Sequence, residues 1–131
     1  MKLNNKGQSL VLFIVFIPVF LGIMALVIDV GLSLSKKNEI DNVLEYSLKH
    51  YLKDEEVFLK ENIKEELKEL IDYNLKDTSN DVIIENNIIT LKTNTYVEGI
   101  FSNILDIKGF KIESEYIGYI ENEKRIVEKI K

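Results

Sequence analysis

The chain has 131 residues, 46% of them apolar and 30% charged, with a net charge of −5. Lys2 and Lys6, offset by Asp29, contribute +1 of that sum, so the part beyond Gly31 carries −6. A nucleic-acid binder shows a basic patch, and this acidic part excludes that class. The absence of cysteine excludes a disulfide scaffold, a thiolate metal site and a cysteine nucleophile.

The apolar residues are unevenly spread. From Leu10 to Ile28 there is no charged side chain. As a helix these residues span about 28 Å, close to the roughly 30 Å hydrocarbon core of a bilayer. The run is apolar on every side, which requires lipid or a large protein core around it, and about 100 further residues cannot supply such a core. The sequence therefore predicts a transmembrane helix over 8–30, after a short basic leader over 1–7 and before a domain over 31–131. The run exceeds the h-region of a cleaved secretory signal, and Ala25-Leu26-Val27-Ile28-Asp29 offers no Ala-x-Ala cleavage site. Lys2, Lys6 and the α-amino group lie on the short side, and Lys36 and Lys37 lie further from the run on the other. The positive-inside rule then gives a single pass through the cytoplasmic membrane, N-terminus inside and domain outside.

Three residues of the span invite two readings each. Pro18 and Gly22 mark either a mild kink or a notch where a partner helix packs. Asp29 at the outer rim is either wetted by water and headgroups or a buried partner for a cation of another subunit.

Beyond Gly31 the helix can continue to about Lys53 as a stalk, because Ile40, Val43, Leu44, Leu48, Tyr51 and Leu52 recur at steps of three and four. Ile40, Leu44 and Leu48 would give that stalk a seam, facing partners or its own sheet. Asp54 is a candidate N-cap for a second, amphipathic helix, with Glu55 and Glu56 in its first turn. Its apolar stripe reads Leu59, Ile63, Leu67, Leu70, Ile71 and Leu75. Residues 77–81, Asp-Thr-Ser-Asn-Asp, read as a turn. Val82–Glu85 and Ile88–Thr95 flank Asn86-Asn87, a hairpin pattern. Tyr96 to Ile107 fits a short helix, ended by Gly109. Alternation from Phe110 to Tyr119 gives a third strand, and Glu121 to Lys131 a charged helix or frayed tail. The fold class is α+β, a small antiparallel sheet of about three strands with helices on one face.

No catalytic pattern emerges. His50 is the sole histidine and has no second histidine at metal-binding spacing, which makes it a structural or surface residue. The serines lack a G-x-S-x-G setting, no Gly-rich phosphate loop occurs, and 41–54 lacks an EF-hand pattern. The sequence calls for no cofactor, no metal and no enzyme activity. That favours a structural or assembly role.

Lys6-Gly7-Gln8-Ser9-Leu10-Val11-Leu12-Phe13 and the apolar run with Pro18 resemble the start of TadE/TadG-like proteins, pilin-like membrane components of Flp (Tad) type IV pilus assembly systems. Asp29-Val30-Gly31, Lys36-Lys37 and Ile40-Asp41-Asn42 continue the resemblance. Residues 88–95, 101–107 and 110–116 are similar to the family's strand, short helix, strand ending. The resemblance implies pilins or other subunits of a pilus or secretion apparatus as partners, besides membrane lipid. It also implies a prepilin peptidase, which would cut between Gly7 and Gln8. Prepilins usually have Glu as the fifth residue after the cut, and here it is Leu12. That tilts the resemblance toward a TadG-like anchored accessory protein, kept uncut. The close variant is a minor pilin cleaved after Gly7. A different class is a signal-anchored extracytoplasmic binding domain or enzyme.

Overall fold

The structure, a computed structural model, describes residues 5–53, 55–59 and 61–131. One helix, α1 (Asn5–Tyr51), contains the whole apolar run and the stalk. Its 47 residues reach about 70 Å. Pro18 lies inside it, and the helix runs unbroken past both Pro18 and the 30/31 boundary. The N-terminal part is long and apolar enough to cross a membrane. Its large apolar side chains stand bare, Phe13 at 65% and Leu21 at 59% exposure.

The C-terminal part of α1 is the spine of the domain. Ile40, Leu44 and Leu48, with Leu52 just past the helix end, are fully buried. They pack in one core with Ile63, Leu67 and Ile71 of α2 (Ile63–Asn74) and with Val82, Ile89, Leu91 and Tyr116 of the sheet. The sheet is an antiparallel meander of β1 (Ser79–Glu85), β2 (Ile88–Val97), β3 (Phe110–Glu121) and β4 (Lys124–Lys129), in the order β1-β2-β3-β4. A short helix, α3 (Ile100–Ile104), interrupts the connection from β2 to β3. Alternation along the strands sends Val82, Ile89, Leu91, Ser114 and Tyr116 toward the helices and leaves the other face in solvent. Gly118 of β3 lets α1 come close: a Cβ there would stand 2.5 Å from Leu52 Cδ1 and 3.0 Å from Leu48 Cδ2.

The α+β class and the Asn86-Asn87 hairpin match the sequence reading. Both turn residues have positive φ, 52° and 60°, the pattern of a two-residue hairpin loop whose twist matches its strands. Four details differ. The tail 121–131 forms a fourth strand, turned at Asn122-Glu123 with φ of 52° and 65°. It is held by β3 and by cations reaching α1: Arg125 Nη1 donates to the Lys49 carbonyl at 2.6 Å. Its apolar residues Ile126 and Val127 are only half-buried, so hydrophobic periodicity is weak there. β1 starts at Ser79, inside the expected turn, because Asn80 is pulled into the core. Its amide donates to Asp72 Oδ1 at 2.7 Å, and its carbonyl accepts from Thr93 at 2.9 Å and Thr78 at 3.0 Å. The second helix starts at Ile63, not near 54. Residues 55–59 form a separate 3₁₀ turn, and Leu59 is 81% exposed instead of joining the stripe. The proposed N-cap Asp54 lies outside the described residues. The short helix covers only 100–104, since Tyr96 and Val97 still belong to β2.

Candidate functional site

The junction between the bare and the packed parts of α1 turns on Asp29. It follows the charge-free run directly, yet it is 1% exposed. Its two carboxylate oxygens accept the backbone N–H groups of Ile100, at 2.6 Å, and Phe101, at 2.8 Å. These belong to the first turn of α3, where N–H groups have no partner within the helix. A carboxylate at that end is favoured by both hydrogen bonding and the helix dipole. The preceding residue is Gly99, which has no side chain to cap with. A Cβ on Gly99 would overlap the Asp29 carboxylate, so glycine is what admits the contact. Ser102 closes the turn: its hydroxyl accepts from the Gly99 N–H at 2.6 Å and donates to the Gly99 carbonyl at 3.0 Å. Asp29 thus pins the β2–β3 connection to the C-terminal end of the apolar run. Beside the two readings drawn from the sequence, a water-wetted rim and a buried partner for a cation of another subunit, the structure gives Asp29 backbone amides of the same chain as partners.

Two turns further along α1 lies a second tie. Lys37 Nζ donates to the Glu113 carbonyl at 2.7 Å, to Ser114 Oγ at 2.5 Å and to the Lys131 carbonyl at 2.6 Å. Asp41 accepts from Ser114 Oγ at 2.7 Å and from Lys129 Nζ at 2.9 Å, with Lys37 Nζ 3.2 Å away. Burial pushes the Asp41 carboxyl up, but the bonds from Ser114, Lys129 and Lys37 outweigh it and hold it below its ordinary 3.8. The same contact with Asp41 holds the Lys129 ammonium above its usual value. Asp29, Lys37, Ile40 and Asp41 all belong to the segments that carry the family resemblance. Each ties α1 to the rest of the domain.

The other singled-out residues fall as follows. Ile40, Leu44 and Leu48 are covered by the chain's own core, the second of the two surfaces considered for the stalk seam. A Cβ at Gly22 would meet nothing within 4 Å, so this chain's own fold does not require a small residue there. Gly7 and Gln8 lie in the first turns of α1. His50 stacks on Tyr46 with ring centroids 5.8 Å apart and is exposed. Among the described residues, no group of three or more His, Asp or Glu side chains is arranged to hold a metal ion. The sequence reading missed the Asp29–α3 pin, because its donors are main-chain groups without a side-chain signature. The one available signal was Gly99 just before an apolar helical pattern. Comparison with protein families, curated proteins and solved structures returns no match for this chain.

Proposed function

We propose that the chain is a single-pass component of a Tad/Flp-type pilus assembly or secretion apparatus, acting by protein–protein assembly and without chemistry of its own. In this reading Leu10–Ile28 is retained in the cytoplasmic membrane, the N-terminus is inside and residues 31–131 lie outside. The observation that carries it is the continuity of α1. One helix leaves an apolar half bare and buries its other half as the spine of a small sheet domain. A helix fixed in this way transmits any packing in the membrane to the domain as a rigid element. The pilin-like start, Lys6-Gly7-Gln8-Ser9 followed by the apolar run, supports the assignment to a pilus system. The open surface at Gly22 supports helix packing in the bilayer, where small residues allow close approach.

A photo-crosslinking amino acid at Leu26, one turn from Gly22, tests the reading in the membranes of the native host. The expected product is an adduct with a pilin or another subunit of a pilus or secretion machine, identified by mass spectrometry. Adducts with lipid alone would remove the support for assembly within the membrane.

A further inference from the structure

The β2–β3 connection ends in a cluster of bare apolar side chains. Ile104 is 70% and Leu105 64% exposed, as bare as Phe13 on the apolar run, and Ile107 and Ile100 follow at 49% and 40%. Nothing in the domain covers them, although its core has taken in smaller side chains such as Ser47, Thr93 and Ser114. Their height along α1 is fixed, because Asp29 holds the N–H groups of Ile100 and Phe101.

That height lies below the outer edge of the apolar surface of α1. With its charge enclosed by the pin, Asp29 no longer ends the apolar surface. Val30, Leu32 and Leu34 continue it and are exposed. The first cations along α1 beyond the run are Lys36 and Lys37. The pin therefore lies about 10 Å closer to the bilayer centre than Lys36, at 1.5 Å per residue. Interfacial segments bury their apolar faces about 5–10 Å into the headgroup and acyl boundary. Exposed Asn103 and Asp106 in the same stretch confine the cluster to headgroup depth, and its other surroundings fit that depth. Tyr96 is half exposed, and the Lys108 ammonium stands 5.9 Å from its ring centroid. Tyrosine and lysine favour the membrane–water interface, where the apolar stem sits low and the polar end reaches water.

We propose that Ile100, Ile104, Leu105 and Ile107 form a lipid-inserting wedge that seats the domain on the outer leaflet beside its own span. The proposal rests on the membrane-anchored reading above. The occupant is the bilayer, because the wedge is continuous with the apolar surface of α1 and pinned at its level. The domain is thus fastened to the membrane at two points, the span and the wedge. This restricts its tilt and sets the angle at which it faces outward. Asp29 is the positioning residue of the device.

The chain contains no tryptophan, so single tryptophans report depth without background. Leu105→Trp, Leu21→Trp and Leu59→Trp are placed in the full chain, in phosphatidylcholine vesicles with and without brominated acyl chains. Leu21→Trp reports the span, and Leu59→Trp a water-exposed site beyond the far end of α1. Bromolipid is expected to quench Leu105→Trp by at least half as much as Leu21→Trp and to leave Leu59→Trp unchanged. Ile104→Trp gives a second wedge position should Leu105→Trp fail to fold. If the wedge positions behave like Leu59→Trp while Leu21→Trp is quenched, the wedge is wrong and the span stands. If Leu21→Trp is also unquenched, the anchored reading itself falls. Protection of Leu105→Trp from both bromolipid and aqueous iodide would mean that a second copy covers it, and would overturn the proposal.

Discussion

Leu21 and Leu48 are the same residue on the same helix, and their surroundings are opposite. Leu21 is 59% exposed and Leu48 is fully enclosed. Around Leu21 every neighbouring position is apolar, so no face of the helix differs from another. Around Leu48 the apolar residues keep to one face, and Lys49 and Glu45 on the outer side pair at 2.8 Å. The first pattern suits a uniform apolar solvent and the second a boundary between core and water. One unbroken helix carries both, and the pattern changes at Lys36 and Lys37, just before Ile40 opens the buried stripe.

Truncation sharpens the contrast most. Leu48→Ala is expected to cost the domain about 2–5 kcal/mol, the range for deleting a buried leucine. Leu21→Ala should shift domain stability by less than about 0.5 kcal/mol, as for a site outside the core. Urea unfolding of the full chain in detergent measures both, and equal effects would break the comparison. Overpacking probes the same interface from the sheet. Gly118→Ala places a methyl against Leu52 and Leu48, with an expected loss of about 1–3 kcal/mol in the same assay.

The junction should respond locally. Gly99→Ala should push the Asp29 carboxylate off the N–H groups of Ile100 and Phe101. Hydrogen exchange at those two amides should rise about tenfold or more, with exchange in the middle of β2 and β3 unchanged. Loss of protection throughout the sheet would show that the pin supports the whole domain.

The second tie predicts a pH signature. Asp41 has its pKa lowered by folding, so its stabilisation is fully present above the unfolded value near 3.8. It fades as pH falls through the lower folded value. At neutral pH, Asp41→Asn should therefore be less stable than the parent by about 1.5–3 kcal/mol, the scale of hydrogen bonds to a charged group. That gap should begin to narrow below the unfolded value of 3.8 and close as pH falls through the lower folded value. A gap that stays constant with pH would mean that the carboxylate's charge is unimportant. The smallest expected effect is at the first hairpin. Asn87→Gly relieves a positive φ of 60° and should stabilise by about 0.5 kcal/mol in urea.

The sequence made some of these features legible and hid others for physical reasons. The apolar run is legible from its length and unbroken apolar composition, the stalk from the spacing of Ile40, Leu44 and Leu48, and the first hairpin from Asn86-Asn87 between two β-rich runs. β4 has no such signal, because Ile126 and Val127 are only half-buried and the strand is held by main-chain pairing and by Arg125 and Lys129. Asn80 reads as a turn residue until Thr93, Thr78 and Asp72 are seen around it. Leu59 extends the stripe of α2 in sequence, but a 3₁₀ turn separates it from the helix. Asp29 was visible as an anomaly at the edge of an apolar run. Its partners were not, since they are main-chain N–H groups about 70 residues away with no preferred residue type.

The measurement that bears most directly on the account is the mature N-terminus and intact mass of the membrane-extracted protein from its own host. A chain that keeps Leu10–Ile28 and starts at Met1 is the predicted result, an anchored accessory subunit. A start at Gln8 would keep the span and make the protein a processed minor pilin despite Leu12. A start beyond Asp29 would contradict the account, because the span would be gone and the pin that joins it to the domain would go with it.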